Sequence, residues 1–198
     1  GPSHLAAGLP CQDSAAFANL DGELAVMAVA DGLGSESRSD VGSRVAADES
    51  VAYCVEHLRG CKGDADVFQL MREAFYQAYD AVLAAAERAG ECADQYDATL
   101  CLALFNGLRL YWGNAGDSGI VACLADGTYH VVTAMQRDGE GRVFPLCFDE
   151  MWEFGLVEDV STLLLCTDGI LEDVLAPPIL AVHGDNPVDT SQAEMFLH

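Results

Sequence analysis

The stretch from Glu23 to Ser35 reads ELAVMAVADGLGS, and its reading decides the fold. Leu24 to Ala30 is a run of seven consecutive apolar residues. Such a run is too short for a buried helix and suits a strand covered on both faces. It stops at Asp31-Gly32, with a second glycine at Gly34. A carboxylate where a central strand ends falls at the rim of the sheet. The glycine beside it lets backbone oxygens or a ligand come close, because no Cβ intervenes. Asp31 therefore reads as the first ligand of a metal site. Asp-Gly also closes ordinary turns, so the rest of the chain has to decide between the two.

Upstream, Pro10-Cys11-Gln12-Asp13-Ser14 leads into Ala15-Ala16-Phe17-Ala18 and then Asp21-Gly22, a hairpin signal between two apolar runs. Asp13 stands just before one strand and Asp31 ends the next, running the other way. Antiparallel pairing puts both carboxylates at the same end of the hairpin. Downstream, Asp40 to Leu58 carries Ala47, Val51, Cys54, Val55 and Leu58 at helical spacing. Asp64 to Ala89 is the clearest helix, with Val67, Leu70, Met71, Ala74, Phe75, Ala78, Val82 and Ala85 on one stripe, Asp64 or Asp66 as its cap and Gly90 as its stop.

The pattern then turns to strands: Ala98 to Phe105, an Asn106-Gly107 turn, Leu108 to Trp112, a glycine-rich turn over Gly113 to Gly119, Ile120 to Leu124, and Tyr129 to Thr133. Residues 134–158 carry no regular period. Ser161 to Thr167 is a further apolar strand, again ending in Asp-Gly at Asp168-Gly169, followed by a short helix from Ile170 to Leu175. Strands, then helices, then strands give an α+β fold: a sandwich of two antiparallel β-sheets flanked by α-helices. Residues 1–176 form one domain, and residues 177–198, which begin at Pro177-Pro178, read as a tail, a shortened or disordered end.

The charge balance is 9 basic against 32 acidic residues, a net of −23. That excludes nucleic acid and anionic membrane as natural partners, because phosphate surfaces demand Lys and Arg. An anionic substrate would need a borrowed cation, and a divalent metal is the obvious source. No apolar run approaches the roughly 18 residues needed to span a bilayer, and no basic and then apolar leader opens the chain. Eight cysteines lack zinc-knuckle or redox spacing, and Cys101, Cys123 and Cys166 lie inside apolar strands. They read as small buried hydrophobes in a reducing cytosol, so the expected location is cytoplasmic.

Four acidic residues share one local grammar. Asp13 precedes a strand, Asp31 and Asp168 end apolar strands and are followed by glycine, and Asp117 lies in a glycine-rich turn. Carboxylates gathered at one rim raise one another's pKa unless a cation neutralises them. Oxygen ligands without Cys or His suit Mg²⁺ or Mn²⁺. Two such ions, about 3.5–4 Å apart, can activate a water and clamp a phosphoryl group.

CQDS, VADGLGS, ATLCLALFNGLRLYWGNAGDSG and LLLCTDGILEDVL occur here in the order of the metal-dependent Ser/Thr protein phosphatases of the 2C type. The chain resembles the compact bacterial branch of that family from about residue 5 to 175. The resemblance implies that Asp31 bridges two Mn²⁺ or Mg²⁺ ions, that Gly32 offers its carbonyl, and that Asp168 ligates the second ion. Asp13 and Asp117 match positions that act through metal-bound water or an additional, weaker metal. Hydrolysis of phosphoserine or phosphothreonine would then proceed by direct attack of metal-bound water, on phosphoproteins that are targets of a Ser/Thr kinase.

The chain departs from the family at three places. Leu33 stands where many relatives have a histidine. No arginine precedes the QD motif, where His4 is the nearest basic candidate, and Arg38 and Arg44 read as helix-surface residues. The late metal-binding aspartate is matched only by Asp185, in Asp185-Asn186, with no apolar strand after it. These departures keep a second possibility open: a pseudophosphatase that binds a phosphoprotein without turnover.

Overall fold

The computed structural model describes residues 10–22 and 24–173. Strand β1 (Asp13–Leu20) and strand β2 (Leu24–Asp31) form the hairpin that the apolar runs imply. They pair antiparallel from Leu20 opposite Leu24 out to Asp13 opposite Asp31. At the turn Asp21 and Gly22 take φ of 57° and 77°. Two left-handed residues in succession reverse the chain between Leu20 and Leu24, a conformation that glycine adopts without strain. Exposure alternates along β1, an edge strand, while β2 is covered more evenly, as a strand with neighbours on both sides should be.

Two helices follow, α1 (Ser39–His57) and α2 (Asp64–Ala89). Then come β3 (Leu100–Phe105), β4 (Leu110–Ala115), β5 (Gly119–Leu124), β6 (Tyr129–Val131), β7 (Glu153–Val157), β8 (Val160–Cys166) and α3 (Asp168–Asp173). Among the described residues all strand pairs are antiparallel, in a five-stranded sheet of order β1-β2-β3-β4-β7 and a three-stranded sheet of order β6-β5-β8. The fold is therefore the α+β two-sheet sandwich expected.

Strand β3 shows why the sandwich holds. Its side chains alternate between faces. Leu100, Leu102 and Leu104 join Phe75, Met71 and Val26 in the core beneath α1 and α2. Cys101 and Ala103 face the other way and meet Ile120, Ala122 and Val160 between the sheets. Both long helices thus cover one outer face of the five-stranded sheet, and the short α3 reaches the other sheet through Leu171.

The structure corrects several sequence expectations. Strand β7 lies inside the 134–158 stretch that carried no period. Its strand character comes from pairing with β4, where Gly155 lies opposite Trp112 and a Cβ would come within 2.5 Å of the indole. Strand β4 starts at Leu110 and absorbs Gly113, Asn114 and Ala115, so the glycine-rich turn shrinks to Gly116-Asp117-Ser118. At α2 the cap is Gly63, not an aspartate. Asp66 accepts the Lys62 N–H at 2.8 Å, and Asp64 turns outward to Arg109. The short helix begins on Asp168 itself. Cys54, Cys101, Cys123 and Cys166 are buried, Cys11 and Cys92 are exposed, and all eight cysteines are free.

Candidate functional site

The rim where β2 ends is assembled by backbone hydrogen bonds. The Gly32 N–H donates to the Gln12 carbonyl at 3.0 Å, and the Gln12 amide side chain reaches Ser39 Oγ at 2.7 Å. The strand end is thereby tied to the chain just before Asp13 and to the start of α1. A side chain at Gly32 would not fit, since a Cβ would approach the Ser39 carbonyl oxygen to 2.5 Å. Across the sheet, Thr99 and Asp31 exchange two bonds. The Asp31 N–H donates to Thr99 Oγ1 at 2.9 Å, and the Thr99 N–H donates to the Asp31 carbonyl at 2.8 Å. Thr99 Oγ1 also lies 3.0 Å from Ser118 Oγ, so one buried hydroxyl links the Asp31 strand to the turn that carries Asp117.

These connections surround a cavity of about 360 Å³ whose lining includes Asp13, Asp31, Gly32, Asp117 and Asp168. The structure thus brings four of the sequence-predicted acidic residues to one cavity, from β1, β2, the β4–β5 turn and the start of α3. The Asp31 carboxyl is pushed well above the usual carboxylate range. Burial is the largest cause, followed by hydrogen bonding and like charge from Asp13, and then from Asp168. Asp117 is also raised by burial, at 2 % exposure, against the opposing pull of Arg137. The Arg137 guanidinium donates to Asp117 Oδ2 at 2.6 and 2.8 Å and reaches Asp168 Oδ2 at 3.3 Å.

Among the described residues no three His, Cys, Asp or Glu side chains are drawn together tightly enough to hold an ion as they stand. The carboxylates that act most strongly on Asp31 are those of Asp13 and Asp168. The donor chemistry still fits a hard divalent ion: carboxylate oxygens from separate elements, beside a glycine whose backbone is open to close approach. Asp185 and His4 lie outside the described residues. Leu33 lines the cavity, with its N–H on the Asp97 carbonyl at 3.0 Å. Arg38 pairs with Glu91 and Arg44 is exposed, so neither lines the cavity. Burial pushes the Cys166 thiol up to about 12, the opposite of what a thiolate nucleophile requires.

Sequence reasoning missed Thr99, Arg137 and Gln136. Thr99 falls inside the run read as a strand from Ala98 to Phe105, just before the observed start of β3, and Arg137 lies in a stretch without period, so nothing local marks either as part of the rim. Gln136 grips the turn beside Asp117, accepting the Gly116 N–H at 2.9 Å and donating to the Met151 carbonyl at 2.7 Å.

The two-sheet antiparallel sandwich is a fold shared with bacterial serine phosphatases. A point-substituted variant of one such enzyme superposes with a TM-score of 0.65 at 15% identity, covering 94% of this chain and 83% of that one. RsbX in complex with magnesium gives a TM-score of 0.56 at 16% identity, over 94% of this chain and 78% of the other. At these identities the likeness is one of fold. Serine/threonine-protein phosphatase 3 of Escherichia coli is 39% identical over 64 residues, which is 30% of this chain and 25% of that relative. The match therefore spans about a quarter of that protein's length. Over residues 1–194 the sequence matches the protein phosphatase 2C family, and the chain belongs to it.

Proposed function

We propose that this chain is a metal-dependent protein serine/threonine phosphatase that hydrolyses phosphoserine and phosphothreonine in phosphoproteins, the targets of a Ser/Thr kinase. The observation that carries the proposal is Asp31. It ends a central strand in the cavity, and the charges nearest it are two further carboxylates from separate elements. Partly buried like charges of this kind hold a proton in the absence of a cation and are stabilised as carboxylates by one. Asp31, the Gly32 carbonyl and Asp168 would hold two ions, Mn²⁺ or Mg²⁺, with Asp13 and Asp117 acting through water or a weaker third ion and Asp185 as a further candidate ligand. The magnesium bound by RsbX, a protein of the same fold, is in keeping with that choice.

When bound, the ions would supply Lewis-acid charge toward the phosphoryl oxygens and activate the attacking water. The chain's own residues do the positioning. Thr99 fixes the Asp31 backbone from both sides, and Gln12 locks the following loop to α1. Leu33 lines the cavity with an apolar side chain that can neither donate nor accept a proton. Among the described residues no cysteine lines the cavity, and with its acidic rim direct hydrolysis fits better than a covalent enzyme intermediate. Among the described residues no helix is long and apolar enough to cross a membrane. Free cysteines fit a reducing compartment, so we place the protein in the cytoplasm.

The test is turnover of a phosphothreonine peptide with and without Mn²⁺, in the wild type and in Asp31→Ala. Mn²⁺-dependent hydrolysis absent from Asp31→Ala is expected. Equal rates in the two proteins would sink the assignment.

A further inference from the structure

The turn that presents Asp117 is built on a glycine. Gly116 takes φ of 112°, and a Cβ there would come within 2.4 Å of Thr99 Cγ2, so both the backbone and the close passage of Thr99 exclude a side chain. A residue without a side chain sets little limit on its own rotation. What holds Asp117 in place therefore acts on the turn from outside.

We propose that Gln136 is the positioning residue of this rim. It fixes the Gly116 turn and ties it to the strap from Arg137 to Val143, so that Asp117 and Val143 keep their places in the cavity that both line. The inference rests on the metal reading of the rim given above, in which Asp117 works through ion-bound water or a weaker third ion. It goes beyond that reading by naming the residue through which Asp117 is held.

Three observations carry it. First, Gln136 grips the peptide groups on both sides of Gly116. Its Oε1 accepts the Gly116 N–H at 2.9 Å, and its own N–H donates to the Gly116 carbonyl at 3.0 Å, where Asn114 Nδ2 adds a second donor at 3.1 Å. Asp117 follows directly from a peptide plane set in this way. Second, the same residue holds the strap. The Gln136 carbonyl accepts the Phe144 N–H at 3.0 Å, and the next residue, Arg137, forms an antiparallel bridge with Val143. Gln136 Nε2 is anchored on the Met151 carbonyl at 2.7 Å, shortly before β7. Third, Gln136 is only 5 % exposed. A buried amide is costly unless both its ends are bonded. Here both are, one to the turn and one to the chain that leads into β7. Ser118, on the far side of Asp117, bonds Thr99, so a turn held by Gln136 is also in register with the Asp31 strand.

The test reads Mn²⁺ binding to the full chain by calorimetric titration. Gln136→Met keeps the length of the side chain and removes both of its bonds. It should weaken Mn²⁺ binding by about 10-fold or more, the size of effect expected of a group that orients a ligand. Gln136→Met/Asp117→Asn should bind Mn²⁺ no more weakly than Asp117→Asn alone, because Gln136 acts through Asp117. Tyr111→Phe, which removes a bond to Asp64 at the far end of the strands, should lower Tm and leave Mn²⁺ affinity unchanged. Unchanged affinity in a folded Gln136→Met overturns the proposal, and so do losses that add in the double variant. Circular dichroism checks folding. If Gln136→Met does not fold, Gln136→Asn, whose amide is too short to reach both partners, decides by the same measurement. A wild type that binds no Mn²⁺ would remove the metal reading, and amide exchange would then decide the role of Gln136. The Gly116 and Phe144 N–H groups should both exchange about 10-fold faster or more in either variant, with the amides of β3 unchanged. An effect confined to Gly116 would show that Gln136 does not tie the turn to the strap.

Discussion

The two rims of the five-stranded sheet are built from the same strands, yet they treat their carboxylates in opposite ways. Arg109 precedes β4 and Asp117 follows it. At the Arg109 rim, Asp64 receives two guanidinium bonds at 2.9 Å and the Tyr111 hydroxyl at 2.8 Å. The Arg109 bonds, with help from Tyr111, hold the Asp64 carboxyl below its usual range. Glu158 adds a second carboxylate to the same arginine at 3.3 Å. At the other rim Asp31 has Asp13 and Asp168 as its nearest charges, and its carboxyl is pushed up. A fold can cancel a carboxylate with its own arginine wherever the charge is structural. Partly buried negative charge left to other negative charge is costly. Such an arrangement is explained when something positive arrives from outside. Arg137 lies between these extremes, cancelling Asp117 and touching Asp168 at the edge of the cavity.

The strongest way to break this comparison is to make the same substitution at both rims. Asp31→Asn should lower Mn²⁺-dependent turnover on the order of 10³-fold, about 4 kcal/mol of transition-state stabilisation. It should also raise the Tm of the metal-free protein by removing like-charge repulsion. Asp64→Asn should do the reverse, with turnover nearly unchanged and Tm lowered. Matching losses of activity at the two rims would end the distinction. Next in size is the ion's own effect. Mn²⁺ at about 100 times its Kd should stabilise the wild type by about 2.7 kcal/mol, read as a Tm increase that Asp31→Asn abolishes.

A smaller effect sharpens the comparison at the open rim. Thr99→Val keeps the side-chain shape but leaves the Asp31 N–H and the Ser118 hydroxyl without that partner. The expected cost is about 1–3 kcal/mol of stability. Because Thr99 acts through the backbone of Asp31, turnover should fall by about 10–100-fold, and Thr99→Ser should restore most of it. Equal damage from Val and Ser would show that the methyl group, not the hydroxyl, is what matters.

What the sequence revealed follows the same division between local and non-local causes. The β1–β2 hairpin was legible because Asp21-Gly22 separates two apolar runs, and its register put Asp13 opposite Asp31 as expected. Asp168 was legible because an apolar strand stops there. Helix α2 was legible from its stripe, of which Leu70, Met71, Ala74, Phe75, Ala78 and Val82 are buried. Strand β7 was not, since Glu153–Val157 becomes a strand only against β4, with a glycine making room for Trp112. Arg137 was hidden for the same reason. Its meaning comes from Asp117 and Asp168, both distant in sequence. The cap of α2 shows a third limit: the pattern marked the right turn of helix, but tertiary contact drew Asp64 away to Arg109.

The smallest expected effect concerns Asp97, beside the open rim, whose carbonyl takes the Leu33 N–H. Burial raises its carboxyl from 3.8 to about 6, partly offset by a hydrogen bond from the Cys147 thiol and reinforced by the charges of Asp94 and Glu36. The folded protein therefore holds this proton more tightly than the unfolded chain. The stabilisation is complete below about pH 3.8 and is lost as pH rises through about 6. Realised in full, the shift would be about 3 kcal/mol. Solvent screening at a half-buried position brings the expectation to about 1 kcal/mol. Asp97→Asn, which stays neutral, should thus be more stable than wild type by about that much above pH 6.5 and no more stable at pH 4, by urea unfolding across the range. An advantage that persists unchanged at pH 4 would mean that the gain comes from packing and not from charge. Asp97 would then have to be set apart from the carboxylates whose cost at this rim is electrostatic.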